Sequence, residues 1–337
     1  MTNLQSSVFY HIQPYKQHTE QPILTKIVNR GVYLCNEINN TKIINSILHH
    51  KRFFYNFNNI QDLNITKISN TTHYLETGQT LCRDESALLN FDNRKTICLN
   101  NYLKTINCSR KFVYQIIYFY THLLEAITLL VTSNIIHNHI NFSTIIIENN
   151  ETSLLENFTF SINMHNINEA NYIRQFFIKY QPSYDEWPME FHILSYLMTN
   201  KLHSLSHSNI NGIISDVTRH HFMNSFDTEI IAKYKSLSFA YFKKYINKDY
   251  EYIIADIAKF YNTWDNYALS IVYLRILICI HNANQNQFIS QFIQLLVTNI
   301  HFNPTLRLSI KNTTNKFEEL LVDSCNYINL HSLIQTI

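Results

Sequence analysis

Glycine is almost missing from this sequence: Gly31, Gly78 and Gly212 are the only three in 337 residues. A Walker loop, a dinucleotide fingerprint and a G-x-S-x-G nucleophile elbow each need glycines close together, so all three are excluded. Charge is scarce too. Only 15% of residues are Asp, Glu, Lys or Arg, and the formal net charge is +2. With no strong basic stripe, the chain is not built to grip a phosphate backbone, and no nucleic-acid partner is expected. Six cysteines, Cys35, Cys82, Cys98, Cys108, Cys279 and Cys325, include no C-x-x-C pair. Reduced, mostly buried thiols of an intracellular protein are the expectation. Long apolar runs are also lacking. The stretch "YALSIVYLRILICI" spans 14 residues and contains Arg275, short of the roughly 20 needed to cross a bilayer, so no membrane partner is expected. The first residues, "MTNLQSSVFYHIQPYKQH", lack the apolar core of a signal peptide, which points to an intracellular, cytoplasmic location.

What is present is globular: 46% hydrophobic and 14% aromatic residues suffice for a sizeable core. Asn is abundant and is expected to fill turns that need positive φ in place of the missing glycines. The bias toward residues with A/T-rich codons points to an A/T-rich genome, such as that of a large DNA virus or a protist. A viral source would place the protein in the host cytoplasm or the virion. His137 and His139 form an H-x-H, and His220 and His221 are adjacent, but no acid or cysteine stands nearby at finger-like spacing, so no metal site is expected. Trp187 and Trp264 are expected as core anchors.

Local patterning predicts an α+β protein. Short runs rich in β-branched residues, "ILTKIV", "VYLC", "TKIINSIL", "ITKIS" and "ALLNF", read as strands in the first hundred residues. From about residue 97 the pattern turns helical. "CLNNYLKTI" is a short amphipathic segment, and "RKFVYQIIYFYTHLLEAITLLVTSN" is a long helix with Val113, Ile116, Ile117, Leu123, Leu124, Ile127, Leu130 and Val131 on its apolar face. "TIIIE" and "SLLENF" form a hairpin. The expected layout is an N-terminal extension (1–23), a β-rich lobe (24–96), a helical lobe (97–330) with an insertion at about 199–262, and a tail (331–337).

The stretch "HLLEAITLLVTSNIIHNHINFSTIII" resembles the long helix and catalytic loop of eukaryotic protein kinases, whose loop reads H-R-D-L-x-x-x-N. His137 keeps the motif histidine, Asn138 stands for Arg, His139 for the catalytic Asp, Asn141 for the usual Lys, and Thr144 for the metal-binding Asn. Asn134 takes a turn position usually given to Gly. Eighteen residues after His139 comes Asn157-Phe158-Thr159, at the interval of the family's D-F-G, with only the Phe kept. "WDNYALSIVYLRIL" is similar to the buried helix beginning D-x-W-S-x-G, with Asp265 as its Asp, and "NIHFNPTLRLSI" to D-P-x-x-R-P-S, with Arg307 as its Arg. Glu190 stands where the A-P-E motif would supply that arginine's partner. The resemblance implies a bilobal kinase-like fold in which Asp265 supports the loop backbone and Glu190, Asp265 and Arg307 are structural.

It also implies a loss of chemistry. Phosphoryl transfer needs a carboxylate base, an Asp and an Asn on magnesium, a Lys–Glu pair and a glycine-rich cover. At those positions stand His139, Asn157, Thr144 and, in the V-A-I-K slot, Asn45, with Lys42 displaced by three and no Glu between Glu37 and Glu76. The expected protein is a catalytically inactive pseudokinase, a scaffold or regulator of other proteins, with no cofactor. The alternative is a divergent active serine/threonine kinase using ATP and Mg²⁺, with Glu148, Glu156 or Asp185 recruited to the metal.

Overall fold

The computed structural model describes residues 23–29, 31–62, 86–106, 109–167, 169, 172–173, 180–220, 227–278 and 286–323. A small sheet-rich region precedes a larger helical one, so the fold class is α+β. Strands β1 (Ile23–Asn29), β3 (Phe57–Asp62) and β4 (Ser86–Asp92) form an antiparallel sheet in the order β1-β4-β3, with Lys26 opposite Leu89. Helix α1 (Val32–Asn45) follows β1 directly. A second sheet joins the two regions. Strand β2 (Phe54–Tyr55) runs parallel to β8 (Thr152–Glu156), which pairs with β7 (Ile145–Glu148), and β7 pairs with β5 (Thr96–Cys98). The chain thus passes from one sheet to the other between β4 and β5.

The predicted strands "VYLC" and "TKIINSIL" are not strands; both belong to α1, the second running past its end. The buried residues of α1, Leu34, Asn36, Glu37, Asn40, Thr41 and Ile44, recur at helical spacing, but four of the six are polar. Hydrophobic periodicity is therefore silent on this helix, and the β-branched residues mislead. "ILTKIV" and "ALLNF" do form β1 and β4, while "ITKIS" lies outside the described residues.

Helices α2 (Leu99–Thr105) and α3 (Ser109–Thr132) open the helical region. Six of the eight apolar positions read from the α3 sequence are at most 3% exposed, and Ile117 and Val131 pack at the edge of the same cluster. Each such buried side chain is worth about 1.5–3 kcal/mol. Within α3, Phe112–Thr132 is long and apolar enough to cross a membrane by length and composition; here its apolar face fills the core.

Six more helices follow: α4 (Met189–Thr199), α5 (His207–His220), α6 (Thr228–Phe242), α7 (Tyr250–Ala258), α8 (Trp264–Ile278) and α9 (Gln287–Asn299), and α10 (Ile310–Val322) closes the described chain. Helices α3, α8, α9 and α10 share one core, and α4, α5 and α7 share another, in which Trp264 is 1% exposed. Asn266, Ser270, Asn299 and Thr313 hydrogen-bond to one another inside the first core and fix α8 against α9 and α10.

Asn does replace Gly at turns. Of the eight described non-glycine residues with positive φ, six are Asn: 134, 138, 149, 150, 157 and 247. Of the six cysteines expected as mostly buried thiols, Cys82, Cys108, Cys279 and Cys325 lie outside the described residues, and the other two are not buried. Cys35 is exposed and Cys98 half-buried, because Cys35 falls on the solvent side of α1.

Candidate functional site

The loop read from the sequence lies between β6 (Ile135–Ile136) and β7, with Asn134 making the turn out of α3 at φ 55°. Strand β6 pairs with β9 (Ile162–Asn163), which brings Asn157, Phe158 and Thr159 beside the loop. Below it, the Asp265 carboxylate in the first turn of α8 accepts the backbone N–H groups of His137 (2.7 Å) and Asn138 (2.9 Å). Burial raises the Asp265 carboxyl to about 6, against the pull of those two donors. From the side, Trp187 Nε1 donates to the Asn138 carbonyl (3.1 Å) and Asn138 Nδ2 to the Phe160 carbonyl (3.2 Å).

His137 is fully buried, which lowers its pKa to about 3. Its Nδ1 faces the His139 N–H (3.3 Å) and its Nε2 faces the Glu156 carbonyl (3.0 Å). An N–H must meet a lone pair at each contact, so the ring is neutral with its proton on Nε2. Phe158 packs edge-on against His137 and Phe54, with ring centroids 4.8 and 5.8 Å away, and links the loop to β2.

His139 is the residue that the sequence resemblance sets against a catalytic carboxylate. Its ring stacks on Tyr184 and its Nδ1 meets the Tyr184 hydroxyl at 2.8 Å. Burial lowers its pKa to about 4. An imidazole this reluctant to accept a proton is a weak general base at neutral pH. Thr144 and Asn141 are consumed within the loop. The Thr144 hydroxyl donates to the His139 carbonyl (2.7 Å). Asn141 Oδ1 accepts from the Ser143 N–H and hydroxyl, while its Nδ2 donates to the His139 carbonyl and the Tyr184 hydroxyl. Asn157 sits at φ 65° with its Oδ1 buried and without a hydrogen-bond partner. Among the described residues, no three His, Cys, Asp or Glu side chains converge as metal ligands.

The structure assembles a cluster that the sequence reading missed. Lys26 on β1 is 3% exposed and Glu37 on α1 is 6% exposed. Both act on the Glu156 carboxyl at the end of β8. Burial, reinforced by Glu37 and opposed by Lys26, raises that carboxyl to about 7. Asn45 and Lys42 do not fill the lysine's place: Asn45 closes α1 and accepts from Asn56, and the Lys42 side chain is exposed. The segment expected as a strand around Lys42 and Asn45 is helical, and the strand before it, β1, carries Lys26. The usable signal was "ILTKIV" itself, a strand with a lysine in its middle.

Of the other acids considered for a metal, Glu148 faces Arg94 (3.5 Å) and Asp185 pairs with Arg275 (2.6 Å), beside the Arg275–Glu186 pair. Glu190 and Arg307 form a bidentate pair at 2.5 and 2.9 Å, with both side chains fully buried. Arg307 Nε also donates to the His301 carbonyl, which ties the start of α4 to the segment after α9.

No protein-family model matches this chain, and no curated protein matches it at a significant level.

Proposed function

We propose that the protein is a catalytically inactive kinase-like scaffold or regulator that works by binding other proteins. One observation carries the reading: the side chains at the three positions where a kinase holds its proton acceptor and metals are His139, Thr144 and Asn157. None bears a carboxylate; the Thr144 hydroxyl is bonded to the His139 carbonyl, and His139 Nδ1 meets the Tyr184 hydroxyl. Mg²⁺ sites on nucleotide phosphates rely on at least one carboxylate, and Asn157 and Thr144 supply only neutral oxygen. Each lost part costs orders of magnitude in rate. The bilobal frame of the reading is supported by the Asp265 clamp, the Glu190–Arg307 pair, and Lys26 and Glu37 on a strand and the helix that follows it.

A contact surface is available in the insertion at about 199–262. Helix α6 buries only Ser238 and Phe242 and exposes Ile230 and Leu237, with Tyr252 exposed on α7. The test is incubation of the full chain with ATP, with and without Mg²⁺. The expected result is no phosphate transfer and no magnesium-dependent rise in melting temperature. Magnesium-dependent transfer that disappears in His139→Ala would overturn the proposal.

A further inference from the structure

We infer that the groove between α5 and α6 docks an acidic segment of a partner protein, with a carboxylate on Lys235 and a neighbouring apolar side chain on Phe239. The inference rests on the proposed protein-binding role and names the chemistry of the partner.

The groove holds about 560 Å³ and is lined by Asn211, Gly212 and Ser215 on the α5 side and by Lys235, Ser236 and Phe239 on the α6 side. That is room for a few side chains. Gly212 widens it, since a Cβ at this position would meet nothing within 4 Å. One turn earlier on α5, His207 packs against Phe239 with ring centroids 4.7 Å apart, and Asn211 Nδ2 meets His207 Nδ1 at 3.1 Å.

Charge selects the occupant. None of the lining residues is acidic, and the one acid of α6, Glu229, lies in its first turn. Lys235 is half-buried and forms no ion pair among the described residues, whereas Lys244 and Lys259 share Asp256. Lys243, exposed and likewise unpaired among the described residues, follows Phe239 by four positions, one turn further along the same side. An ammonium set into a groove attracts a carboxylate more strongly than one in open water. The Ser215 and Ser236 hydroxyls and the Asn211 amide are further donors for the same anion. A small free anion would satisfy Lys235 and leave Phe239 uncovered; an acidic peptide answers both. Helix α6 also offers length for a chain to lie along, because it buries only Ser238 and Phe242.

The test titrates the full chain with two short fluorescein-labelled peptides, read by fluorescence polarisation. In one, glutamate and leucine alternate; in the other, lysine replaces every glutamate. Wild type is expected to bind the acidic peptide and not the basic one. Lys235→Glu should weaken the acidic peptide about tenfold, as attraction becomes repulsion. Lys316→Glu, the same charge change on the exposed side of α10, should alter binding by less than about twofold. Gly212→Leu should abolish binding by filling the groove. Replacing an exposed helical glycine favours the helix, so its melting temperature should not fall, and the lost binding is then not unfolding. Equal binding of the two peptides, or unchanged binding in Lys235→Glu or Gly212→Leu, would overturn the inference. So would displacement of the acidic peptide by inorganic phosphate at equal concentration, which assigns the groove to small anions. Dimerisation of wild type that Lys235→Glu abolishes would assign it to a second copy and overturn the inference as well. Each of these results leaves the proposed function standing on another surface, whereas magnesium-dependent phosphate transfer would refute that function whatever the peptides do.

Discussion

Two buried ionic groups in this molecule are built on opposite plans. Glu190 and Arg307 match one carboxylate to one guanidinium, fork to fork, with the remaining donor on a carbonyl. At Glu156, burial, opposed by the charge of Lys26 and reinforced by that of Glu37, holds the carboxyl near 7. The first arrangement matches charge to charge with both side chains fully buried, which suits a brace between helices. The second carries a carboxyl that titrates near neutrality, so its contribution depends on pH.

The sharpest way to break this contrast is Arg307→Ala. With Glu190 left fully buried and uncompensated, unfolding free energy in urea should fall by about 3–5 kcal/mol. A loss under about 1 kcal/mol would show that water or a neighbour replaces the arginine. Next comes Asp265→Asn, which turns one acceptor of two N–H groups into a donor facing a donor. The expected cost is about 1–3 kcal/mol, with faster amide exchange at His137 and Asn138 as the local signature.

The pH profile sharpens the other side. Glu156 titrates at about 7 when folded, above its ordinary 4.5. The unfolded chain therefore gives up this proton first as pH rises. The stability contributed is fully present below about pH 4.5 and is lost as pH climbs through about 7. Glu156→Gln has no such proton. Its stability should fall less than wild type between pH 5 and pH 8, measured by urea titration at both. Asp265 runs the same way over a lower window, and His137, His139 and His192, all depressed by burial, run the opposite way. All four are present in both proteins, so the difference reports Glu156. A parallel profile would show that the carboxyl is not shielded. The smallest effect belongs to the exposed Lys51–Asp92 pair: Lys51→Ala should cost no more than about 1 kcal/mol and less in high salt.

Legibility in the sequence followed chemistry. The long helix was readable because it buries one apolar face, which sets a period in the residues, while the hairpin and the helix from Trp264 were readable as short continuous apolar runs, being buried almost all round. The loop was readable because His137, His139, Thr144 and Phe158 keep a recognisable order. Its internal wiring was not, since Tyr184 and Trp187, which meet His139 and Asn138, are distant in the chain. Helix α1 was misread because it buries asparagines, a glutamate and a threonine, which bind the Thr159–Ser161 segment and carry no hydrophobic signal.

The residues alone settled that this is an α+β chain with an asparagine-rich turn chemistry. Those features depend on local composition and on spacing along the chain. Tertiary structure alone decided that Lys26 and Glu37 are buried and act by charge on Glu156, and that Glu190 grips Arg307 with such full burial. Charges pair through space and not along sequence, so only the folded arrangement of strands and helices selects which acid meets which base.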